Sequence, residues 1–441
     1  MKRITVSLIA ILILVGSSMN RFAYGNLDEK SLVTESNVDG LQVISKKAFN
    51  DIISVQLFIR GGTAYYTKEQ EGIEALTLGV VTHGGTMTQP KDDFQSELEK
   101  LGTTIGGNSG LDFSTITMKC IKKNWARSWE MLTDIILNPD IEEATFLLNK
   151  DNAISAIKQD DSSPDARLEE MSRDASFQDH FYSIKPNGSE ASLEKLQLED
   201  IRNYYSTLIN KSRCFLVVVG NLDGKELELR VKESLAKMPE GRFATKTFNR
   251  LNITKSSVVF EERDIATNYI QGTIGAPLPL TDENRAMIVA MAILYDRYFE
   301  EIRTKRGLSY SPQSYLRNRR TPSAIIYVTT IEPDAAVQVM IDELKKIKKD
   351  GFEDSELKNK KAGFLTRHYM QLETNDSQGD MLGRAEILGG WEKTETFVDD
   401  INALTLEDIN DTFDKYVKGV NWVYLGQKDQ FNEATYLQSL N

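Results

Sequence analysis

A short motif occurs twice in the sequence, and its spacing sets the length of each structural unit. Leu196–Ile201 reads LQLEDI, and Leu404–Ile409, 208 residues later, reads LTLEDI. Each copy precedes a helical pattern and then a strand, which ends at Gly220 in the first copy and at Gly426 in the second. Two matches at nearly one spacing favour an internal duplication. Because Leu-x-Leu-Glu-Asp is also an ordinary helix start, a coincidence of two helix starts remains the alternative.

The duplication divides the 441 residues into two α/β halves, more than one ordinary core would hold. Strand and helix patterns follow each other in mixed order, which predicts an α+β fold of two homologous halves. Each half is expected to be a largely antiparallel mixed sheet backed by helices. Residues 239–257 are polar and lack a sustained period, so they are predicted to be a linker between domains at 26–238 and 258–441.

The N-terminus has the pattern of a secretory signal. The basic start MKR precedes the apolar run ITVSLIAILILVG, which is too short to span a membrane comfortably. Ala23 and Gly25 place small residues where signal peptidase reads them. We expect residues 1–25 to be removed and the protein to be exported, to the periplasm if the source is Gram-negative. An uncleaved anchor is the alternative.

Charge and cysteine content exclude several classes of function. The formal net charge is −12, which argues against nucleic acid and anionic membranes as partners. No later stretch is apolar enough to cross a bilayer. Cys120 and Cys214 both lie in strand patterns, and two cysteines are not a disulfide framework. Two buried thiols are expected, although an exported chain could also pair them.

The stretch QEGIEALTLGVVTHGGT, Gln70–Thr86, predicts an amphipathic helix. It follows the alternating strand pattern SVQLFIR and a glycine pair. Four residues fall at i, i+3, i+4 and i+7 of one helical face: Leu76, Gly79, Val80 and His83. The predicted helix runs from Glu69 to His83 and ends at Gly84-Gly85.

This stretch resembles the active-site helix of the insulinase/pitrilysin zinc peptidases, which include the mitochondrial processing peptidase. Those enzymes carry G-x-x-H-x-x-E-H and a Gly-Thr shortly after it. Gly72 matches the family glycine, and Gly84-Gly85-Thr86 lies at the place of the Gly-Thr, one residue longer. Ala75 and Gly79 occupy the two histidine positions.

Two further positions of the family's catalytic site are also replaced. Leu78 stands where the family has its general-base glutamate, and Ala156, in AISAIKQ, where it has its third zinc ligand. None of the four side chains can bind zinc or move a proton. The only histidines are His83, His180 and His368, and none has a partner at a recognised ligand spacing. No metal or other cofactor is therefore expected in this chain.

A second family motif is retained. The Arg-x6-Tyr of FEEIRTKRGLSY, Arg303 to Tyr310, matches an arginine/tyrosine pair in the second half of family members. The pattern predicts a helix from Asp282 to Arg306 capped by Gly307, with Tyr310 at the start of the next strand. In the family this pair binds the substrate carbonyl and stabilises the oxyanion. The alternative is a helix-end cation beside an ordinary strand aromatic.

The resemblance, which covers essentially residues 40–430, implies a non-catalytic subunit of a heterodimeric zinc endopeptidase. A homologous partner bearing His-x-x-Glu-His would hold the zinc, and this chain would close the peptide chamber and contribute Arg303 and Tyr310 in trans. The alternative is an inactive scaffold or peptide-binding protein with no peptidase partner. A self-sufficient hydrolase is disfavoured, because the chain has no G-x-S-x-G elbow and no Cys/His arrangement.

Overall fold

The computed structural model describes residues 32–440, so the predicted signal at 1–25 lies outside the described residues. The first half contains these elements in chain order: β1 (Val33–Val38), β2 (Leu41–Lys47), β3 (Ile52–Arg60), α1 (Ile73–Thr82), β4 (Gly85–Thr86), α2 (Lys91–Leu101), β5 (Thr104–Ser109), β6 (Phe113–Ile121), α3 (Trp125–Leu137), β7 (Pro139–Asp140), α4 (Glu143–Asp161), α5 (Pro164–Phe177), α6 (Glu190–Lys195), α7 (Leu198–Leu208), β8 (Cys214–Gly220) and α8 (Gly224–Glu233).

The second half contains a parallel series of elements: β9 (Ser257–Glu262), β10 (Asn268–Gly275), α9 (Asp282–Tyr298), β11 (Gln313–Arg317), β12 (Ser323–Thr330), α10 (Pro333–Asp350), α11 (Asp354–Gln371), α12 (Asn375–Leu388), α13 (Phe397–Ala403), α14 (Leu406–Tyr416), β13 (Asn421–Gly426) and α15 (Glu433–Tyr436). In both halves the LxLEDI motif opens the helix that precedes the last strand of the sheet, α7 in the first and α14 in the second.

The two main sheets have the same topology. The first has the order β1-β2-β8-β3-β6-β5, and the second has the order β11-β12-β10-β13-β9. Without β1, the first order read from β2 to β5 corresponds strand by strand to the second read from β9 to β11. In each sheet one pair is parallel, β2 with β8 and β9 with β13, and the other pairs are antiparallel. The α+β fold of two homologous halves is therefore confirmed.

Each sheet buries one face against helices of its own half. One apolar cluster joins the first sheet to α1, α3 and α7, and a second joins the other sheet to α9, α10 and α14. All seven residues of β8 are buried, in agreement with the continuous apolar run in the sequence.

The opposite face of each sheet is covered by a helix from the other half. α12 packs on β3 and β8, where Leu382 and Trp391 join a cluster around Phe58 and Phe215. α5 packs on β10 and β13, where Leu168 and Met171 contact apolar residues of β13. An ion pair also links each of these helices to the other half. Glu386 of α12 pairs with Arg60 at 3.0 Å, and Arg167 of α5 pairs with Glu261 at 2.5 Å.

Two glycines allow α12 to lie close to the first sheet. A Cβ added at Gly383 would overlap the ring of Phe58, and one added at Gly379 would lie 2.8 Å from the Gln56 amide. Phe58 is fully buried and stacks on Phe215 with 5.0 Å between ring centroids, so it cannot move aside. The sequence pattern did not predict a helix here, because glycine lowers helix propensity. In the folded chain the same glycines let α12 approach the sheet closely.

The segment predicted as a linker has no helix or strand between residues 239 and 256, but it lies against the first half. The Tyr65 hydroxyl donates to the Ala244 carbonyl at 2.7 Å and accepts from the Lys246 amide at 2.9 Å. β9 begins at Ser257, the last residue of the predicted linker.

Two remaining expectations concern the thiols and the membrane. Cys120 and Cys214 are both free and buried, and burial raises the pKa of the Cys214 thiol to about 11. Across residues 32–440, no helix combines the length and the apolar character that a membrane span requires.

The close packing of α12 gives a matched pair of stability predictions. Gly383→Ala should destabilise the protein by about 1–3 kcal/mol, because the new methyl group overpacks a filled core. Gly363→Ala, on the exposed side of α11 with nothing within 4 Å of the added Cβ, should stabilise it by about 0.5–1 kcal/mol. Urea denaturation followed by circular dichroism measures both. Equal effects of the two substitutions would contradict this account of α12.

Candidate functional site

α1 starts later than the sequence pattern predicts. The predicted start at Glu69 is wrong, because Lys68–Gln70 form a separate 3-10 turn and the helix begins at Ile73. Gly72 precedes it with φ +89, a left-handed conformation that favours glycine. A Cβ at Gly72 would lie 2.7 Å from a methyl carbon of Leu193 and 2.8 Å from the Gly188 Cα. The glycine of the motif is thus required both by the backbone turn and by the close approach of α6.

Three of the four replaced positions line one cavity. Ala75 and Gly79 lie one turn apart on α1, and Ala156 lies on α4, which packs across it. All three border a cavity of about 350 Å³. Leu78 is fully buried and faces elsewhere, since a Cβ added at Gly107 of β5 would lie 2.8 Å from the Leu78 Cβ. Small apolar residues therefore occupy the positions at which three ligands would converge.

Two polar side chains at this cavity contact each other. His83 Nδ1 lies 2.9 Å from Asn149 Oδ1, and the Asn149 amide donates to the Thr145 carbonyl at 2.8 Å. Asn152, Asp160 and Asn187 also line the cavity. Within the described range, no group of three His, Cys, Asp or Glu residues is arranged to hold a metal ion.

The other two histidines lie in other parts of the fold. His180 accepts from the Tyr182 amide at 3.1 Å and lies 3.1 Å from the Thr321 hydroxyl of the second half. Burial lowers the pKa of His180 to about 4. His368 stacks on Phe397 with 4.9 Å between ring centroids.

A buried carboxylate beside the replaced histidine was not found by sequence reasoning. Glu74 is fully buried and pairs with Arg213 at 3.1 Å, and it also accepts from the hydroxyls of Ser114 and Tyr204. Burial, and then the charge of Glu74, raise the pKa of the Tyr204 hydroxyl well above its ordinary value. Because Glu74 is fully paired, it anchors α1 to β6 and α7 and is not presented to the cavity. Glu74 lies off the face predicted from Leu76, Gly79, Val80 and His83, so the periodic pattern carried no signal of its burial.

The structure brings the two residues of the second motif together. The Arg303 guanidinium lies 4.0 Å from the centre of the Tyr310 ring and 4.7 Å from that of Phe299, within cation–π range. Tyr310 is 78% exposed. It does not begin a strand as predicted, because β11 starts at Gln313.

The helix that carries Arg303 changes its winding before it ends. α9 ends at Tyr298, and Phe299–Thr304 form a π turn where a continuous helix to Arg306 was predicted. Gly307, with φ +62, then closes the helix, and its amide donates to the Arg303 carbonyl at 3.2 Å. π turns inside helices occur frequently at functional sites.

The neighbouring cations are paired, whereas Arg303 is not. Glu301 forms ion pairs with Lys305 at 2.7 Å and with Arg306 at 2.5 Å. Among residues 32–440, Arg303 has no ion pair and no hydrogen bond from its side chain; its contacts are the two aromatic rings. The guanidinium and the Tyr310 hydroxyl can therefore both donate to an incoming oxygen.

Comparison with known proteins gives two family matches and several relatives. Residues 42–185 match the model for Insulinase (Peptidase family M16), and residues 195–364 match the model for the Peptidase M16 inactive domain. An uncharacterized zinc protease YmxG of Bacillus subtilis is 21% identical over 81% of this chain and 88% of its own. A non-peptidase homolog YmxG of Helicobacter pylori is 21% identical over 81% of this chain and 84% of its own.

More distant comparisons agree with these. The mitochondrial-processing peptidase subunit beta of Dictyostelium discoideum is 21% identical over 53% of this chain and 50% of its own. The crystal structure of a peptidase M16 inactive domain from Pseudomonas fluorescens superposes with a TM-score of 0.82 at 16% identity, over 90% of this chain and 98% of that one. The two family models cover both halves of the fold, and the ligand positions hold alanine and glycine. The chain belongs to the insulinase (M16) peptidase family and is an inactive member of it.

Proposed function

We propose that this chain is the non-catalytic subunit of a heterodimeric M16 zinc endopeptidase. A homologous partner supplies zinc, its two histidine and one glutamate ligands, and the base. This chain closes the peptide chamber and contributes Arg303 and Tyr310 to the partner's site. The proposal includes export of the chain after removal of residues 1–25.

The observation that carries the proposal is the state of Arg303. An arginine that only caps a helix gains by pairing with a nearby acid, and Glu301 is close enough to bind Lys305 and Arg306. Arg303 instead lies against the exposed Tyr310, with its donors available. A cation and a phenol donor fixed side by side suit an oxyanion that develops as a zinc-bound hydroxide attacks a peptide carbonyl.

The degenerate cavity supports the need for a partner. A zinc peptidase site requires three protein ligands and an open position for water, and Ala75, Gly79 and Ala156 offer none of the ligands. Relatives are subunits of larger assemblies by name, such as the processing peptidase subunit beta and the bovine cytochrome b-c1 complex subunit 1. Peptide binding as an added strand has a suitable edge in β11, the edge strand that starts three residues after Tyr310.

The alternative is an inactive scaffold of the same fold. The name of the Helicobacter pylori relative, a non-peptidase homolog, favours it. In that case the stacking of Arg303 on Tyr310 would be a surface contact worth about 0.5–1 kcal/mol at an exposed site, and an oxyanion-binding role would be absent.

Substitution of the pair separates these two functions. In the reconstituted complex, Arg303→Ala with Tyr310→Phe should lower kcat by about 10²–10³-fold, the usual loss when oxyanion donors are removed. Assembly, measured by size-exclusion chromatography, should be unchanged because both side chains are accessible. Lys305→Ala with Arg306→Ala is the matched control, and its kcat should stay at the wild-type value. Full activity of the Arg303/Tyr310 variant would exclude the role in trans.

The cavity between α1 and α4 can be tested by restoring its ligands. Ala75→His and Gly79→His with Ala156→Glu should create a three-ligand zinc site, since all three positions border one cavity. The new side chain at position 79 must displace Asn149, whose Oδ1 would lie 3.2 Å from the added Cβ. Calorimetric titration with zinc should give binding about tenfold tighter or more than that of the variant with the two histidines alone. Equal zinc affinity of the two variants would contradict the assignment of Ala156.

A further inference from the structure

A polar cleft of about 320 Å³ lies where the two halves meet, and three arginines line it. Arg173 comes from α5 and Arg384 from α12, the two helices exchanged between the halves. Arg319 comes from the turn between β11 and β12. The cleft is separate from both the α1–α4 cavity and the Arg303–Tyr310 pair. It is also cationic in a chain whose net charge is −12.

The lining of the cleft follows the internal duplication. α5 and α12 are each 14 residues long, and Arg173 and Arg384 occupy the same position, the tenth, in their helices. The sequences up to these arginines, DARLEEMSR and DSQGDMLGR, share their aspartate and arginine ends. Asn108 and Asn318, from the turn ends of the equivalent hairpins, also line the cleft. The cleft therefore lies at the centre of the pseudo-symmetric pair of halves.

The arginines differ in how their charges are balanced. Arg384 forms an ion pair with Asp380 at 2.6 Å, one turn earlier on α12. Arg173 and Arg319 have neither a hydrogen bond from the side chain nor an ion pair within the described residues. The Arg319 guanidinium lies 5.8 Å from the centre of the Tyr182 ring. Two guanidinium groups thus face the cleft with their donors unused.

The nearby carboxylates are already engaged. Asp112 accepts from the Tyr182 hydroxyl at 2.6 Å and from the Arg320 amide at 3.0 Å. Glu169 binds Arg317 through two hydrogen bonds of 2.7 and 2.8 Å. Asp112 also lines the cleft, and the charges of Asp112 and Glu169 favour the charged form of Arg319, but neither acid forms an ion pair with Arg173 or Arg319.

The turn that carries Arg319 is held in place by the first half. The Arg320 amide donates to Asp112, and the Thr321 amide donates to the Tyr182 hydroxyl at 3.1 Å. Burial, and then repulsion from Arg317, lower the pKa of Arg319. A cation that is held in place by its turn and has no ion pair of its own is prepared for an anion, because little ordering is needed on binding.

We propose that this cleft binds a small dianion, held between Arg173 of the first half and Arg319 of the second. The shared chemistry is a pair of oxyanion charges matched to two guanidinium forks, as in inorganic phosphate or a short dicarboxylate. The volume is at the small end of the range for ligand sites. Because the ligand contacts both halves, its binding also fastens their junction. This site is independent of the peptidase role proposed above.

Calorimetric titration of the full chain tests the site directly. Phosphate and succinate are added separately at constant ionic strength. We expect saturable binding of at least one of them, at one site per chain. Arg173→Gln and Arg319→Gln should each weaken the binding by about tenfold or more, as expected for loss of a charged hydrogen-bonding group. Arg242→Gln, an exposed arginine in the linker segment, makes the same change in net charge and should leave the affinity unchanged.

The two anions distinguish the ligand class. Saturation with phosphate alone assigns a tetrahedral anion, and saturation with succinate alone assigns a dicarboxylate. Either of these outcomes supports the site. Binding of neither anion, or an equal loss of affinity in the Arg242→Gln control, would overturn the proposal.

Thermal unfolding separates ligand binding from a structural role. Without ligand, Arg319→Gln should unfold at about the wild-type temperature, since the substitution removes repulsion from Arg317 together with attraction to Glu169 and Asp112. With ligand, the wild type and Arg242→Gln should show the full rise in Tm that binding produces, and Arg319→Gln a smaller rise. A variant that is less stable without ligand yet keeps the full ligand-induced rise would show that Arg319 is structural, which contradicts the proposal.

Discussion

The reciprocal exchange of two helices is the constraint on which the rest of the structure depends. Each sheet needs cover on both faces, and neither half supplies it alone. α12 covers the first sheet and α5 covers the second, so the core of each half is completed by the other. The glycines of α12, the two ion pairs and the common position of Arg173 and Arg384 all follow from this exchange. As a result, apolar clusters at the junction contain residues of both halves.

This junction explains how the chain retains a peptidase fold without peptidase chemistry. The zinc positions lie on α1 and α4, which pack on the first half and need no metal to be held there. The buried Glu74–Arg213 pair, with Ser114 and Tyr204, fixes α1 from its other side. Ligands can therefore be replaced by alanine and glycine without loss of the fold. What stays accessible is the Arg303–Tyr310 pair in the second half, beside the edge strand β11.

Much of the fold could be predicted from the sequence, because its signals are local or periodic. The LxLEDI repeat predicted two halves, and the spacing of Leu76, Gly79, Val80 and His83 predicted the helix α1. α12 and β1 were missed because their residues have low intrinsic propensity and form their elements through packing with the other half or the neighbouring strand. The π turn that follows α9, Phe299–Thr304, was missed because a single turn of this kind leaves no periodic signal in the sequence.

The junction cleft could not be predicted for a different reason. Arg173 and Arg319 belong to different halves, and only the tertiary fold brings them together. Nothing in their local sequence distinguishes them from solvated surface arginines, and what sets them apart is that the neighbouring acids have other partners. The lack of an ion-pair partner for these two arginines is a property of the folded chain and not of any single segment.

The central claim is that this chain works on a zinc site it does not itself contain. The most direct measurement is mild affinity purification of the chain from its own host, followed by mass spectrometry and zinc analysis of the eluate. The account predicts a stoichiometric partner of similar size that carries His-x-x-Glu-His, with zinc bound to the pair. Recovery of the chain alone, or with unrelated proteins and no zinc, would contradict it and favour the scaffold.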